Sequence, residues 1–317
     1  MNKWKKLTLT PLLYALLLCG CTQQTASESN DSVLDTQAST SDYANYDATE
    51  ELTSETIAES EVITPIEPEI LHFVDVFGEE YEVEINPDVP KQTYQTECFS
   101  RNGQKLSYES DSYTSQLGID VSHYQGDINW NEVKAAGYEF AFIRLGYRGY
   151  ATGELCLDRY FFQNIKNAQD CGIDVGVYFF SQAINEEEAM EEANFVIQAL
   201  NGYDLQLPVV YDPESILDDD ARTDDISGEQ FTKNTLAFCQ TVQDAGFEPM
   251  IYSNMLWEAY ELDLAQLTDY PIWYADYEAL PQTPYHFTFW QYSNTGSVDG
   301  INTETDLNIR FIPKEEN

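Results

Sequence analysis

From Gly118 onward, short apolar runs recur at a spacing that suits one fold class. GIDVS, FAFIRLGY, DVGVYFF, LPVVYD and EPMIYSN each read as a strand. Between them lie segments of helical period. These are DINWNEVKAAG up to Gly137, DRYFFQNIKNAQDCG with Gly172 as a C-terminal cap, Asn185 to Leu200, SGEQFTKNTLAFCQTVQDAG, and a short helix around Leu256 to Tyr260. In the third, Ala189, Ala193, Val196 and Leu200 share one stripe, and Glu186, Glu187 and Glu188 fill the first turn, where the helix dipole favours acids. PIWYADY, FTFWQYS and TDLNIRF then follow as three strands in close succession. Five βα units and three further strands predict an α/β chain with an eight-stranded, barrel-like sheet. Buried parallel strands read as near-continuous apolar runs, as these do.

That frame gives meaning to acids at strand ends, because active sites of βα barrels lie at the C-terminal ends of the strands. LPVVYDPES carries Asp212 and Glu214 one residue apart. In a strand such residues share a face, with backbones about 6.6 Å apart, so two charges there repel and burial adds to the cost. Pro213 between them allows a bland alternative, in which the strand has already become a turn. Asp120 in the first strand, Asp276 late in the sixth and Asp306 in the eighth belong to the same set. Singly, each acid has a structural use as a cap or turn residue. Together they predict one acidic mouth.

Charge and residue inventory exclude several classes. A net charge of −41 argues against nucleic-acid binding, which needs Lys and Arg to displace counterions. The three histidines, His72, His123 and His286, are scattered, and no HExxH or CxxC spacing occurs, so neither a metal nor another cofactor is expected. GxSxG is also absent, which weakens a serine-hydrolase reading. Tyr and Trp are abundant and offer flat faces with hydrogen-bonding edges, suited to sugars and to cores alike.

The N-terminal part has a different character. Lys3, Lys5 and Lys6 precede the apolar Leu12 to Leu18, an export signal too short to span a bilayer. It ends in Leu18-Cys19-Gly20-Cys21, similar to a bacterial lipoprotein processing site, with Cys21 as the lipidated residue and residues 1–20 as the signal peptide. Residues 21–65, rich in Ser, Thr, Asp and Glu, predict a disordered tether. Residues 66–115 predict a small β-rich segment, with a hairpin about Phe77-Gly78 and strands about Asn102-Gly103. Four cysteines remain in the exported body, Cys98, Cys156, Cys171 and Cys239; they allow three pairings, and Cys239, inside a helical pattern, reads as a buried free thiol.

The run GIDVSHYQGDINW, FAFIRLGYRG, GVYFFSQ, LPVVYDPES, PIWYADY and FTFWQYSNTGSVDGINTETDLN resembles family 25 glycoside hydrolases, the muramidase-type lysozymes. The resemblance covers about residues 118–312, within a catalytic barrel at 116–314. It implies a flattened, TIM-like (βα)5β3 barrel that cuts the β-1,4 bond between N-acetylmuramic acid and N-acetylglucosamine in peptidoglycan. The family's D-x-E pair falls on Asp212 and Glu214, its first-strand acid on Asp120 and its late acid on Asp306. Pro213 departs from the small or apolar residue usual between the pair.

On this reading Glu214 is the general acid, its proton held by the neighbouring charge of Asp212. Asp212 is either a nucleophile or the group that orients the substrate's 2-acetamido arm, the latter preferred. Asp120 and Asp306 support it, and Tyr178, Tyr252, Asp276 and Gln291 are candidate sugar ligands. The expected partners are glycan strands of the wall and, through the lipid, the outer face of the cell membrane; the alternative is an ordinary cleaved signal peptide and a secreted chain. The rival class is an anchored module that grips glycan without cutting it, which predicts the loss of a central acid; Asp120, Asp212 and Glu214 are all present.

Overall fold

The computed structural model describes residues 67–217 and 219–314. The signal-like segment, Cys21 and the tether lie outside these residues. At the centre, eight strands close on themselves in the order β5 (Tyr113–Val121), β13 (Thr305–Pro313), β12 (Phe289–Gly296), β11 (Ile272–Ala275), β10 (Pro249–Asn254), β9 (Val209–Pro213), β8 (Asp174–Ser181) and β6 (Phe140–Arg148), with β6 returning to β5. The result is a mixed α/β fold around a closed barrel.

Seven strands run parallel, and β13 is antiparallel to both its neighbours. The apolar pattern predicts β13 but not its direction, since an apolar run reads the same either way. The reversal matters for the site, because it brings the start of β13, not its end, to the mouth. Two further differences are local. β5 begins at Tyr113, inside the segment predicted as separate, and a short strand, β7 (Leu155–Leu157), pairs antiparallel with the end of β6 outside the ring.

The helices follow their sequence signals closely. They are α1 (Trp130–Ala135), α2 (Phe161–Asp170), α3 (Glu186–Ala199), α4 (Gly228–Asp244) and α5 (Met255–Tyr260). Asn185 caps α3 by accepting from the Glu188 N–H at 2.9 Å, and its predicted stripe of Ala189, Ala193, Val196 and Leu200 is buried. Gly172 sits at φ +70° beyond α2, the left-handed conformation that ends many helices.

Strand alternation fills the barrel with Phe140, Phe142, Val210, Met250, Tyr252, Trp273 and Phe289. Phe142 stacks on Trp273 with ring centres 4.5 Å apart. Two glycines make room for the phenylalanines: a Cβ on Gly118 would lie 2.3 Å from the Phe140 ring, and one on Gly176 2.5 Å from Phe142. This buried aromatic plug is the floor beneath the acids.

Among the described residues no helix follows β11 or β12, so their outer faces need another cover. The N-terminal segment supplies it with two hairpins, β1 (Ile70–Val74) with β2 (Glu80–Glu84), and β3 (Phe99–Asn102) with β4 (Lys105–Tyr108). Tyr94 stacks on Phe311 at 4.0 Å and donates from its hydroxyl to the Phe287 carbonyl at 2.6 Å. Phe99 meets Trp290 edge-on at 5.7 Å. Phe73, Leu106 and Tyr108 are buried in the same core as the outer barrel residues. Burying each phenylalanine-sized group contributes about 1.5–3 kcal/mol, so this segment is part of the barrel's packing. Cys98, Cys156, Cys171 and Cys239 are all unpaired thiols, and Cys239 is fully buried in α4.

Candidate active site

Four carboxyl groups meet at the end of the barrel where the parallel strands finish. Asp120 in β5 and Asp306 in β13 are register partners across the antiparallel ladder. Asp212 lies in β9, whose ladder continues through Pro213 to Ser181 of β8, and Glu214 is the first residue beyond. The proline therefore does not end the strand before the pair.

Asp120 is the anchor. Its Oδ2 accepts from Gln291 Nε2 and from Asn308 Nδ2, both at 2.8 Å. Burial raises its pKa, and these two bonds together with one from Asp306 oppose the rise. Asp306 is pushed up to about 9 by burial and by the charge of Asp120. It keeps its proton at neutral pH and donates it to Asp120.

Asp212 is 5% exposed, and its Oδ1 has no hydrogen-bond partner. Burial drives its pKa well above the usual carboxylate range, the charges of Glu214 and Asp120 add to this, and Arg144 opposes. Glu214 is half-buried and is pushed up to about 7 by burial and then by Asp120, with a hydrogen bond from Tyr252 opposing. The expected repulsion between Asp212 and Glu214 is present, and burial and the charge of Asp120 add to it.

The other predicted residues divide. Tyr252 donates to Gln291 Oε1 at 3.1 Å and also meets Glu214, so it links the acid to the Asp120 group. Gln291 spends both ends of its amide inside the network, so it orients groups and has little left for a sugar. Tyr178 is half-buried, edge-on to Trp273 at 6.0 Å, and feels the charges of Arg144, Asp120, Asp212 and Asp306. Asp276 does not join the acids. Its carboxylate accepts from the Tyr274 hydroxyl at 2.8 Å, the Gln282 N–H at 2.8 Å and the Glu278 N–H at 3.0 Å, which makes it the organiser of a turn. An acid just past a strand end serves either role, and only its contacts tell which.

Sequence reasoning passed over three contributors. Tyr277 donates to Gln291 Oε1 at 2.8 Å. Asn308 bridges Trp273 Nε1 and Asp120, each at 2.8 Å. Arg144 donates to Asp158 Oδ2 at 2.9 Å and is flanked by the faces of Tyr124 and Tyr147 at 5.4 and 5.3 Å. The available signal was a polar residue within a barrel strand: the Arg of the otherwise apolar FAFIRLGY and the Asn between Leu307 and Ile309 in TDLNIRF. Among the described residues no group of His, Cys, Asp and Glu is arranged to hold a metal ion.

Comparison with known proteins decides the family. The family model described as "Glycosyl hydrolases family 25" matches residues 119–301, more than half of the chain. The chain belongs to glycosyl hydrolase family 25. Lysozyme M1 of Streptomyces globisporus is 31% identical over 205 residues, covering 60% of this chain and 66% of that protein. A family 25 glycosyl hydrolase from Bacillus anthracis is 27% identical, with a TM-score of 0.52 over 66% of this chain and 94% of the other. The modular autolysin LytC from Streptococcus pneumoniae, 22% identical, shares the fold with a TM-score of 0.56 over 76% of this chain, which spans 56% of LytC. In this family 25 chain, all four acids carried by the resemblance lie at one end of the barrel, whereas the hairpin β1–β2 lies outside the matched segment.

Proposed function

We propose that this chain is a peptidoglycan hydrolase, a muramidase cutting the β-1,4 bond between N-acetylmuramic acid and N-acetylglucosamine, with Glu214 as general acid and Asp212 as the acceptor for the 2-acetamido N–H. Family membership and the relation to lysozymes support glycoside hydrolysis. The observation that carries the division of labour is the unpartnered Oδ1 of Asp212, buried beside a carboxyl that holds its proton to about pH 7. A buried acceptor without a donor costs roughly 1–3 kcal/mol, which a substrate N–H would recover.

The steps follow from these positions. With its N–H on Asp212, the acetamido arm turns its carbonyl oxygen toward the anomeric carbon. That oxygen attacks, the glycosidic C–O bond breaks, and its electron pair goes to the leaving oxygen, which takes the Glu214 proton. Glu214, now ionised and met by Tyr252, accepts a proton from water as the water opens the cyclic intermediate. Two displacements return the original anomeric configuration. Asp120 and Asp306 hold the neighbouring charge, and the aromatic floor keeps water from the far side.

The finer architecture is read as a flattened (βα)5β3 barrel. One helix follows each of β5, β6, β8, β9 and β10 before the next parallel strand, and β11 to β13 close the ring. Export, with lipid on Cys21, is supported by the basic and apolar segments before it. A tether at 21–65 would then reach about 35–40 Å root-mean-square from the membrane, into the wall of the same cell. Labelled palmitate should enter the intact chain and be lost in Cys21→Ser; label persisting in the variant rules the anchor out. Mass analysis of muropeptides released from purified wall should show muramic acid at the new reducing ends. Reducing-end glucosamine would reject the muramidase.

A further inference from the structure

The hairpin β1–β2 is not only packing. The backbone of its residue Val74, the last of β1, is gripped at two points by one side chain from the rim of the barrel. The Val74 N–H donates to Gln282 Oε1 at 2.8 Å, and Gln282 Nε2 donates to the Val74 carbonyl at 2.9 Å. The amide thus docks as a strand neighbour would. Gln282 is equally bound on its other side: its N–H donates to Asp276 Oδ2 at 2.8 Å and its Nε2 to Asp276 Oδ1 at 3.3 Å. Asp276 is itself fixed to the barrel, its N–H donating to the Gln291 carbonyl at 3.1 Å and its carbonyl accepting from Trp290 Nε1 at 2.8 Å.

Tyr277 stands inside the turn so closed. Its hydroxyl donates to Gln291 Oε1 at 2.8 Å, and Gln291 Nε2 donates to Asp120 Oδ2 at 2.8 Å. Hydrogen bonds, joined by the peptide bond between Asp276 and Tyr277, therefore link a hairpin outside the family segment to a carboxylate at the centre of the site. Nearby attachments hold the hairpin's base to the same rim: Asn86 N–H to the Tyr285 hydroxyl at 2.9 Å, Gln92 N–H to the Pro284 carbonyl at 2.9 Å, and His286 N–H to the Pro90 carbonyl at 2.8 Å.

We propose that Gln282 is a positioning residue, and that through it the β1–β2 hairpin holds Tyr277 in the hydrogen-bond network of the acids. The proposal rests on the hydrolase reading of this site and adds to it a role for residues 70–84. Small displacements of groups that organise reacting atoms are costly, up to about 100-fold for an ångström, whereas Val74 and Gln282 are half-buried and water can satisfy them once separated. Loss of the grip therefore shows in turnover before it shows in folding.

The test is a double-mutant cycle on the full chain, measured on soluble glycan strands. Gln282→Ala should lower kcat about 10-fold and leave KM within about twofold. In a Tyr277→Phe background the same change should cost nothing more, because the residue it acts through no longer reaches Gln291. Gln282→Met, which keeps the volume without the amide, should repeat the result if the alanine variant folds poorly. Unchanged kcat in both Gln282 variants, or losses that multiply with Tyr277→Phe, would overturn the proposal. If the unaltered chain cuts no glycan at all, the hydrolase reading fails first and takes this one with it.

Discussion

Glu214→Gln should lower wall lysis by about 10³-fold or more while leaving the fold and glycan binding intact, since positioned proton transfer contributes about 10²–10⁴ and the amide has no proton to give. The unaltered chain should show the matching pH profile. Glu214 has its pKa raised to about 7, and its protonated form is the active one. Activity is therefore present below that value and falls as pH rises through it. In the glutamine variant any residual rate should lose this alkaline limb. A variant that lyses wall at a tenth of the normal rate, or keeps the limb, would show that the proton comes from elsewhere.

The second large effect is on stability and lies where β6, β8 and α3 meet. Arg148 and Glu192 are both buried; Arg148 Nε donates to Glu192 Oε1 at 2.7 Å, and the Ser181 hydroxyl donates to Oε2 at 2.6 Å. Arg148 also donates to the carbonyls of Gly153 and Glu188, at 2.8 and 2.9 Å, so one side chain ties the loop after β6 to α3. Arg148→Met leaves a buried carboxyl without its counter-charge and should cost about 3–5 kcal/mol. Arg148→Met with Glu192→Leu should recover most of that, because replacing a whole buried pair is often neutral.

Urea unfolding of the two variants decides between them. Equal losses in single and double would mean that the carbonyl bonds of Arg148, not the charge pair, hold this corner. Burial raises the Glu192 pKa to about 7 in the unaltered fold, above its unfolded value. The folded form then binds more protons than the unfolded one, and the contribution of this group to stability declines as pH rises from roughly 4.5 to 7.

The barrel was legible because its strands are buried on both faces, which leaves runs such as LPVVYD and FAFIRLGY that no surface strand would carry. The helix stop at Gly172 was equally plain, being short-range chemistry. Direction was not legible: nothing in TDLNIRF says that it runs against its neighbours, yet that reversal sets Asp306 beside Asp120. Three-residue β7 offers too short a pattern to read. Within the site, the acids showed through their placement at strand ends, but Asp276 shared that placement and serves a turn. The division between residues that touch substrate and residues that hold others depends on which lone pairs are already taken. Gln291 is the example, promising as a ligand by position yet with both ends of its amide engaged in the fold.

The antiparallel β13 also decides where the polypeptide leaves the barrel. Pro313 is aligned with Tyr113, and the Lys314 N–H donates to the Ser112 carbonyl at 2.8 Å. Entry and exit thus sit side by side at the end of the barrel opposite the acids. A reporter or a second binding module joined after Lys314 would hang from the back of the enzyme, leaving a long glycan free to thread past the front.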